Sequence, residues 1–146
     1  MKKTILFCHS VHHGNTKKLA DAARTRLGAT VVTLPCAEIT DLRAYERIGF
    51  LSGIYKGDFG KGIYALLDRM SLAGKACFAA YTCGAPAGAY DKRIVSRLSE
   101  KGAQVLEGFH CRGYDTFGPF KLVGGIAKGR PNEKDIDGFL RFLENL

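Results

Sequence analysis

Residues 5–19 read Ile-Leu-Phe-Cys-His-Ser-Val-His-His-Gly-Asn-Thr-Lys-Lys-Leu. An apolar run passes through a short polar loop holding one glycine, Gly14, and straight into a helix whose apolar face is Leu19, Ala23 and Leu27. Strand, tight loop and helix in that order build an anion site. The first turn of a helix has N–H groups without intrahelical partners and carries roughly +0.5 of an elementary charge, so a phosphate seated there needs no cationic side chain. Ser10, Asn15 and Thr16 add side-chain donors, and Lys17 and Lys18, which oppose the helix dipole, are eased by a bound anion. Neither G-x-x-x-x-G-K-[ST] nor G-x-G-x-x-G occurs here, so the loop predicts a single phosphate rather than a nucleoside triphosphate or a dinucleotide.

Working outward, apolar runs at 5–9, 29–34, 48–52, 76–82 and 105–111 predict five strands. Helical spacing falls between them: Ile63, Leu66, Leu67 and Met70, then Ile94, Val95 and Leu98, and finally Ile136, Phe139, Leu140 and Leu143 behind a capping Asn132. Residues 41–45 suffice for one helical turn at most. Strands that are nearly unbroken apolar runs, alternating with helices, predict a parallel sheet buried on both faces. The doubly wound strand order 2-1-3-4-5 fits that count, and ligands in such sheets sit beyond the carboxyl ends of the strands at the switch point. The loops after Ser10, Ser52 and Thr82 are therefore the binding loops.

A chain of 146 residues with 46% apolar and 25% charged residues is read as one globular domain. No apolar run approaches the roughly 20 residues of a bilayer span, and the run after Met1-Lys2-Lys3 stops at His9 without a cleavage site, so no membrane association and a cytoplasmic location are expected. Five cysteines with no C-x-x-C argue against a disulfide framework or a zinc site and for a reducing compartment. Lys and Arg total 22 against 14 Asp and Glu, a net +8, which favours acidic partners. No nucleic-acid module accompanies that charge, so nucleic acid is not expected.

The pattern Ser10-Val11-His12-His13-Gly14-Asn15-Thr16 after a first strand resembles the FMN-phosphate loop of the flavodoxin family. It carries one residue more than the family's [ST]-x-x-G-x-T and histidines where hydroxyls are common. The resemblance covers essentially the whole chain and implies a flavodoxin-like α/β sandwich, one non-covalent FMN and electron transfer. Residues Ser10, His12, His13, Gly14, Asn15 and Thr16 would then hold the phosphate. Ser52, Gly53, Ile54, Tyr55 and Gly57 would pack on the ring, with Tyr55 stacking. Thr82, Cys83, Gly84 and Tyr90 would meet its polar edge. Electron-carrying flavodoxins are typically acidic, so a chain of +8 implies a redox partner protein of acidic charge.

Other chemistries fit less well. Adjacent His12 and His13 point apart in an extended loop and have no third ligand at matching spacing, so no metal is expected. Cys8 lacks the arginine of a C-x5-R phosphatase loop, since position 14 is Gly14. Cys83 is read as a small residue that lets the backbone approach, in preference to a redox thiol. Cys8-His9-Ser10 replaces the paired carboxylates of a response regulator. His9 and His110 are read as core histidines. The glycine-rich stretch 112–130, with Tyr114, Phe117 and Phe120, is a docking loop, a dimer contact or a cover over the site. Two further functions remain in view: an FMN-dependent NAD(P)H:quinone-type oxidoreductase, and a regulatory or scaffold domain without flavin.

Overall fold

A computed structural model describes residues 1–146 except His12, Ala37, Ile39, Pro86 and Ala87. Its core is a parallel sheet of β1 (Thr4–His9), β2 (Thr30–Thr33), β3 (Arg47–Tyr55) and β5 (Ala76–Cys83), with β6 (Gln104–Val105) and β7 (Phe109–Arg112) completing it. The order is β2-β1-β3-β5-β6, with β7 also on β5 and the short β4 (Asp58–Phe59) antiparallel to the end of β3. In the five-strand count taken from the sequence this is 2-1-3-4-5.

Strand periodicity divides the core into two layers. Ile5, Phe7, Ile48, Phe50, Cys77, Ala79 and Tyr81 face one side, where they pack with Ile63, Leu66 and Leu67 of α2 (Lys61–Leu67) and Ile94 and Leu98 of α3 (Lys92–Glu100). The intervening Leu6, Cys8, Leu51, Phe78 and Ala80 face Leu19, Ala20 and Ala23 of α1 (Asn15–Leu27) and Phe139, Leu140 and Leu143 of α4 (Glu133–Asn145). Asn132 caps α4 in a reciprocal box with Asp135, as its sequence predicts. Among the described residues no helix is long and apolar enough to cross a membrane.

Two expectations change. The fifth strand, read as continuous over 105–111, is two short pieces. The break falls at Leu106-Glu107-Gly108, and a side chain at Gly108 would meet the carbonyl oxygen of Ala79 at 2.8 Å, so the backbone there lies against β5 too closely for a pleated residue. The third strand, read as 48–52, continues to Tyr55 and turns back through Lys56 and Gly57 into β4. Both turn residues are left-handed, with φ of 52° and 81°, the twist that two-residue hairpins require.

Gly49, at the centre of the sheet, is where β3 yields to its neighbours. A Cβ there would lie 2.4 Å from Phe78 Cζ and 2.7 Å from Leu6 Cδ2. Gly49→Ala is therefore expected to lower stability by about 1–3 kcal/mol through overpacking, read as a lower urea midpoint at unchanged m-value.

Candidate functional site

At the carboxyl edge of the sheet three loops and the segment after β7 enclose a cleft of about 890 Å³. The first loop joins β1 to α1. Gly14 holds φ 64°, which turns the chain into the helix, and as the N-cap residue it has no side chain with which to cap α1. Ser10 Oγ accepts the Lys17 N–H at 3.2 Å, so its own proton is available to a ligand. Thr16 and Thr82, both buried, join their hydroxyls at 2.9 Å and tie the first turn of α1 to the end of β5. Asn15 is buried too. Its Nδ2 donates to the Tyr114 carbonyl at 2.8 Å, while Oδ1 is enclosed without a partner. Gly113 lies beneath that amide, where a Cβ would come within 2.7 Å of Nδ2.

The second loop is the β3–β4 hairpin. Tyr55 Oη accepts the Val11 N–H at 3.1 Å, and its ring meets His9 edge-on with centroids 5.6 Å apart. The predicted stacking residue thus bridges the first and second loops. Ser52 is buried and pins the hairpin from within: its hydroxyl donates to the Gly53 carbonyl and accepts the Gly60 N–H at 2.9 Å. In the third loop Tyr90 Oη donates to the Ala85 carbonyl at 3.0 Å, and Arg112 Nε donates to the Gly84 carbonyl at 2.8 Å. Asp115 packs on Gly84, where any side chain would collide with it.

Of the residues singled out from sequence, Ser10, Asn15, Thr16, Gly53, Ile54, Tyr55, Gly57, Thr82, Cys83, Gly84 and Tyr90 line this one cleft. His13, Gly14 and Ser52 act behind its wall. His13 stacks on Tyr114 with centroids 4.4 Å apart and shares a hydrogen bond with Thr116 Oγ1 at 2.9 Å. His12 lies outside the described residues.

Sequence reasoning missed a second set. Asp58 accepts hydrogen bonds from Tyr64 Oη at 2.5 Å and Arg93 Nη1 at 2.7 Å, and the Arg93 guanidinium sits 4.4 Å over the Tyr64 ring. Burial pushes the Asp58 carboxyl up, but the Tyr64 and Arg93 bonds outweigh it and hold the group below its usual range. These three residues come from β4, α2 and α3, and no local spacing joins them. Tyr114, Phe117 and Phe120 also line the cleft, so the stretch 112–130 covers the site. Their clustering in an otherwise glycine-rich stretch was the available signal. The histidine expectations are corrected as well. His9 is half-buried with Nδ1 enclosed and unpartnered, packed against Gly60 and Gly62, and burial lowers its pKa; His110 is exposed and stacks on Tyr81.

All five cysteines are free. Burial pushes Cys8, Cys77 and Cys111 up to about 12, and Cys83 upward as well, so each stays a thiol near neutrality. At pH 8 a disulfide reagent is expected to label the half-buried Cys36 quickly, the equally half-buried Cys111 slowly because its surroundings keep it a thiol, and the buried Cys8, Cys77 and Cys83 only after unfolding. Rapid labelling that survives Cys36→Ser would contradict this.

No protein-family model matches the chain. Among solved structures, a flavodoxin from the domain Archaea superposes with a TM-score of 0.68 at 16% identity, covering 94% of this chain and 92% of its own. Flavodoxin 2 of Bacillus cereus gives 0.67 at 20% identity, covering 98% and 99%. A Lactobacillus acidophilus flavoprotein in complex with FMN gives 0.57 at 20% identity, covering 76% and 93%. In sequence, an uncharacterized protein of Methanocaldococcus jannaschii is 37% identical over 148 residues, spanning 100% of this chain and 98% of its own. The chain therefore belongs to the same family as that M. jannaschii protein, and its fold, in strand order and superposition, is that of the flavodoxins.

Proposed function

We propose that the cleft binds one FMN non-covalently and that the chain is an electron-transfer flavoprotein. The observation that carries this reading is the start of α1: a helix N-terminus whose N-cap residue is Gly14, and whose Lys17 N–H is taken by Ser10 Oγ, opens on the same cleft as Tyr55 and the glycine-bearing loops Gly53 and Gly84. A phosphate supplies the missing cap. The first-turn N–H groups and the Ser10 hydroxyl would hold it, while Asn15, whose Nδ2 donates to the Tyr114 carbonyl, ties the loop to the covering segment. Bound FMN supplies one- and two-electron chemistry that no side chain here provides.

The protein's own part is placement and electrostatics. The Thr16–Thr82 bond holds the phosphate loop at a fixed distance from the third loop. Tyr55 and Tyr114 wall the cleft with aromatic surface, and Phe117 and Phe120 limit water on its open side. The L. acidophilus flavoprotein, whose structure holds FMN, lends support through its fold.

The purified protein is expected to take up FMN stoichiometrically, with the flavin absorbance shifted and its fluorescence changed. Ser10→Ala removes a charge-assisted hydrogen bond worth about 1.5–3 kcal/mol, so FMN should bind about ten- to a hundredfold more weakly while riboflavin binding stays unchanged. No FMN uptake by the wild-type chain would overturn the reading and leave a flavin-free regulatory domain. Rapid oxidation of NADH or NADPH by the loaded protein would replace the carrier with an oxidoreductase.

A further inference from the structure

Among the described residues five large apolar side chains are exposed, and all but Met1 belong to the two stretches that contribute to the cleft wall, the β1–α1 loop and the 3₁₀ helix with the residue before it, whose Phe120 lines the cleft. Val11, 74% exposed, sits on the phosphate loop, and Phe117, 58% exposed, begins the short 3₁₀ helix Gly118–Val123; both line the cleft. Leu122 and Val123, exposed by 88% and 73%, continue the apolar surface outward along that helix. Scattered exposed apolar residues need no explanation, but a group at one opening marks an interaction surface.

The charge around this lip has one sign. Lys56 and Lys61 line the cleft, and Lys121 and Lys128 are exposed on the covering segment. The carboxylates nearby are turned inward. Asp58 is taken by Arg93 and Tyr64, and Asp115 accepts the Phe117 N–H at 2.8 Å. The covering segment is also braced against the phosphate loop, through Asn15 to the Tyr114 carbonyl and through His13 to Tyr114 and Thr116.

We propose that the lip of Val11, Phe117, Leu122 and Val123, with Lys121 and Lys128 beside it, is the docking face for an acidic electron-transfer protein. The proposal rests on the FMN reading for its purpose and on this surface for its chemistry. An apolar centre inside a cationic rim suits a partner whose redox group lies in an apolar patch ringed by carboxylates, and the contact brings that group to the cleft mouth.

The test uses a fluorescently labelled acidic [2Fe–2S] ferredoxin, with a basic cytochrome c as control, and reads anisotropy against the FMN-loaded chain at low and moderate salt. Saturable ferredoxin binding that weakens as salt rises, with none to the cytochrome, is expected. The double variant Leu122→Ser/Val123→Ser should bind about tenfold more weakly, and Lys121→Glu should weaken binding and flatten its salt dependence. None of these residues lines the cleft, so FMN uptake by the variants should match the wild type. Ferredoxin binding that ignores both variants would overturn the proposal. So would variant-sensitive sedimentation with phosphatidylglycerol vesicles, or variant-sensitive dimerisation, in place of ferredoxin binding. Wild-type protein that binds ferredoxin yet takes up no FMN would refute the cofactor reading and leave the docking face standing.

Discussion

The buried hydroxyl pair Thr16–Thr82 sets the geometry on which the cleft depends. One partner stands in the first turn of α1, the other near the carboxyl end of β5, and β3 lies between β1, the strand that leads into α1, and β5 in the sheet order. Two threonines that meet at 2.9 Å fix how far the β1–α1 loop stands from the third loop. A hydroxyl pair in a dry environment is costly to separate, because each oxygen would be left without a partner. The apolar sandwich supplies most of the stability, but this polar contact decides where the binding loops sit on top of it.

Small residues serve the same end. Gly49 lets Phe78 and Leu6 close over the middle of the sheet, Gly60 and Gly62 make room for His9 beneath the hairpin, and Gly84 and Gly113 admit Asp115 and Asn15. In each case the missing side chain is replaced by one from a different element. The carboxyl edge is thereby knitted into a continuous wall: the covering segment holds the first loop through Asn15, and the hairpin holds it through Tyr55 and the Val11 N–H. Such cross-element packing makes the cleft a property of the whole fold.

That division explains what the sequence made legible. β1, β3 and β5 were readable because a strand covered on both faces must be apolar throughout, and the β1–α1 loop because strand, glycine and helix start are contiguous. The capping box of α4 is equally local. The break at Gly108 was not readable, since its cause is a carbonyl of β5 nearly thirty residues away in the chain. The hairpin was hidden because Lys56-Gly57 is a less familiar turn pair than Asn-Gly, and Ser52 seemed a ligand contact because nothing local shows that its hydroxyl turns back to Gly53 and Gly60. The Asp58–Tyr64–Arg93 cluster is nonlocal in the same way.

The protonation states around the cleft are held away from neutrality. Burial keeps Cys83 a thiol, and burial together with the Asp58 bond keeps Tyr64 a phenol. Asp58 remains a carboxylate under its two donors, and burial keeps His9 neutral. Each of these shifts moves a pKa farther from neutral pH, the reverse of the tuning that general acid–base sites display. The charges that these four groups present to the cleft are therefore constant across the neutral range. That constancy is what the proposed FMN reading asks of them, since there the cofactor carries the chemistry and the wall only has to hold it.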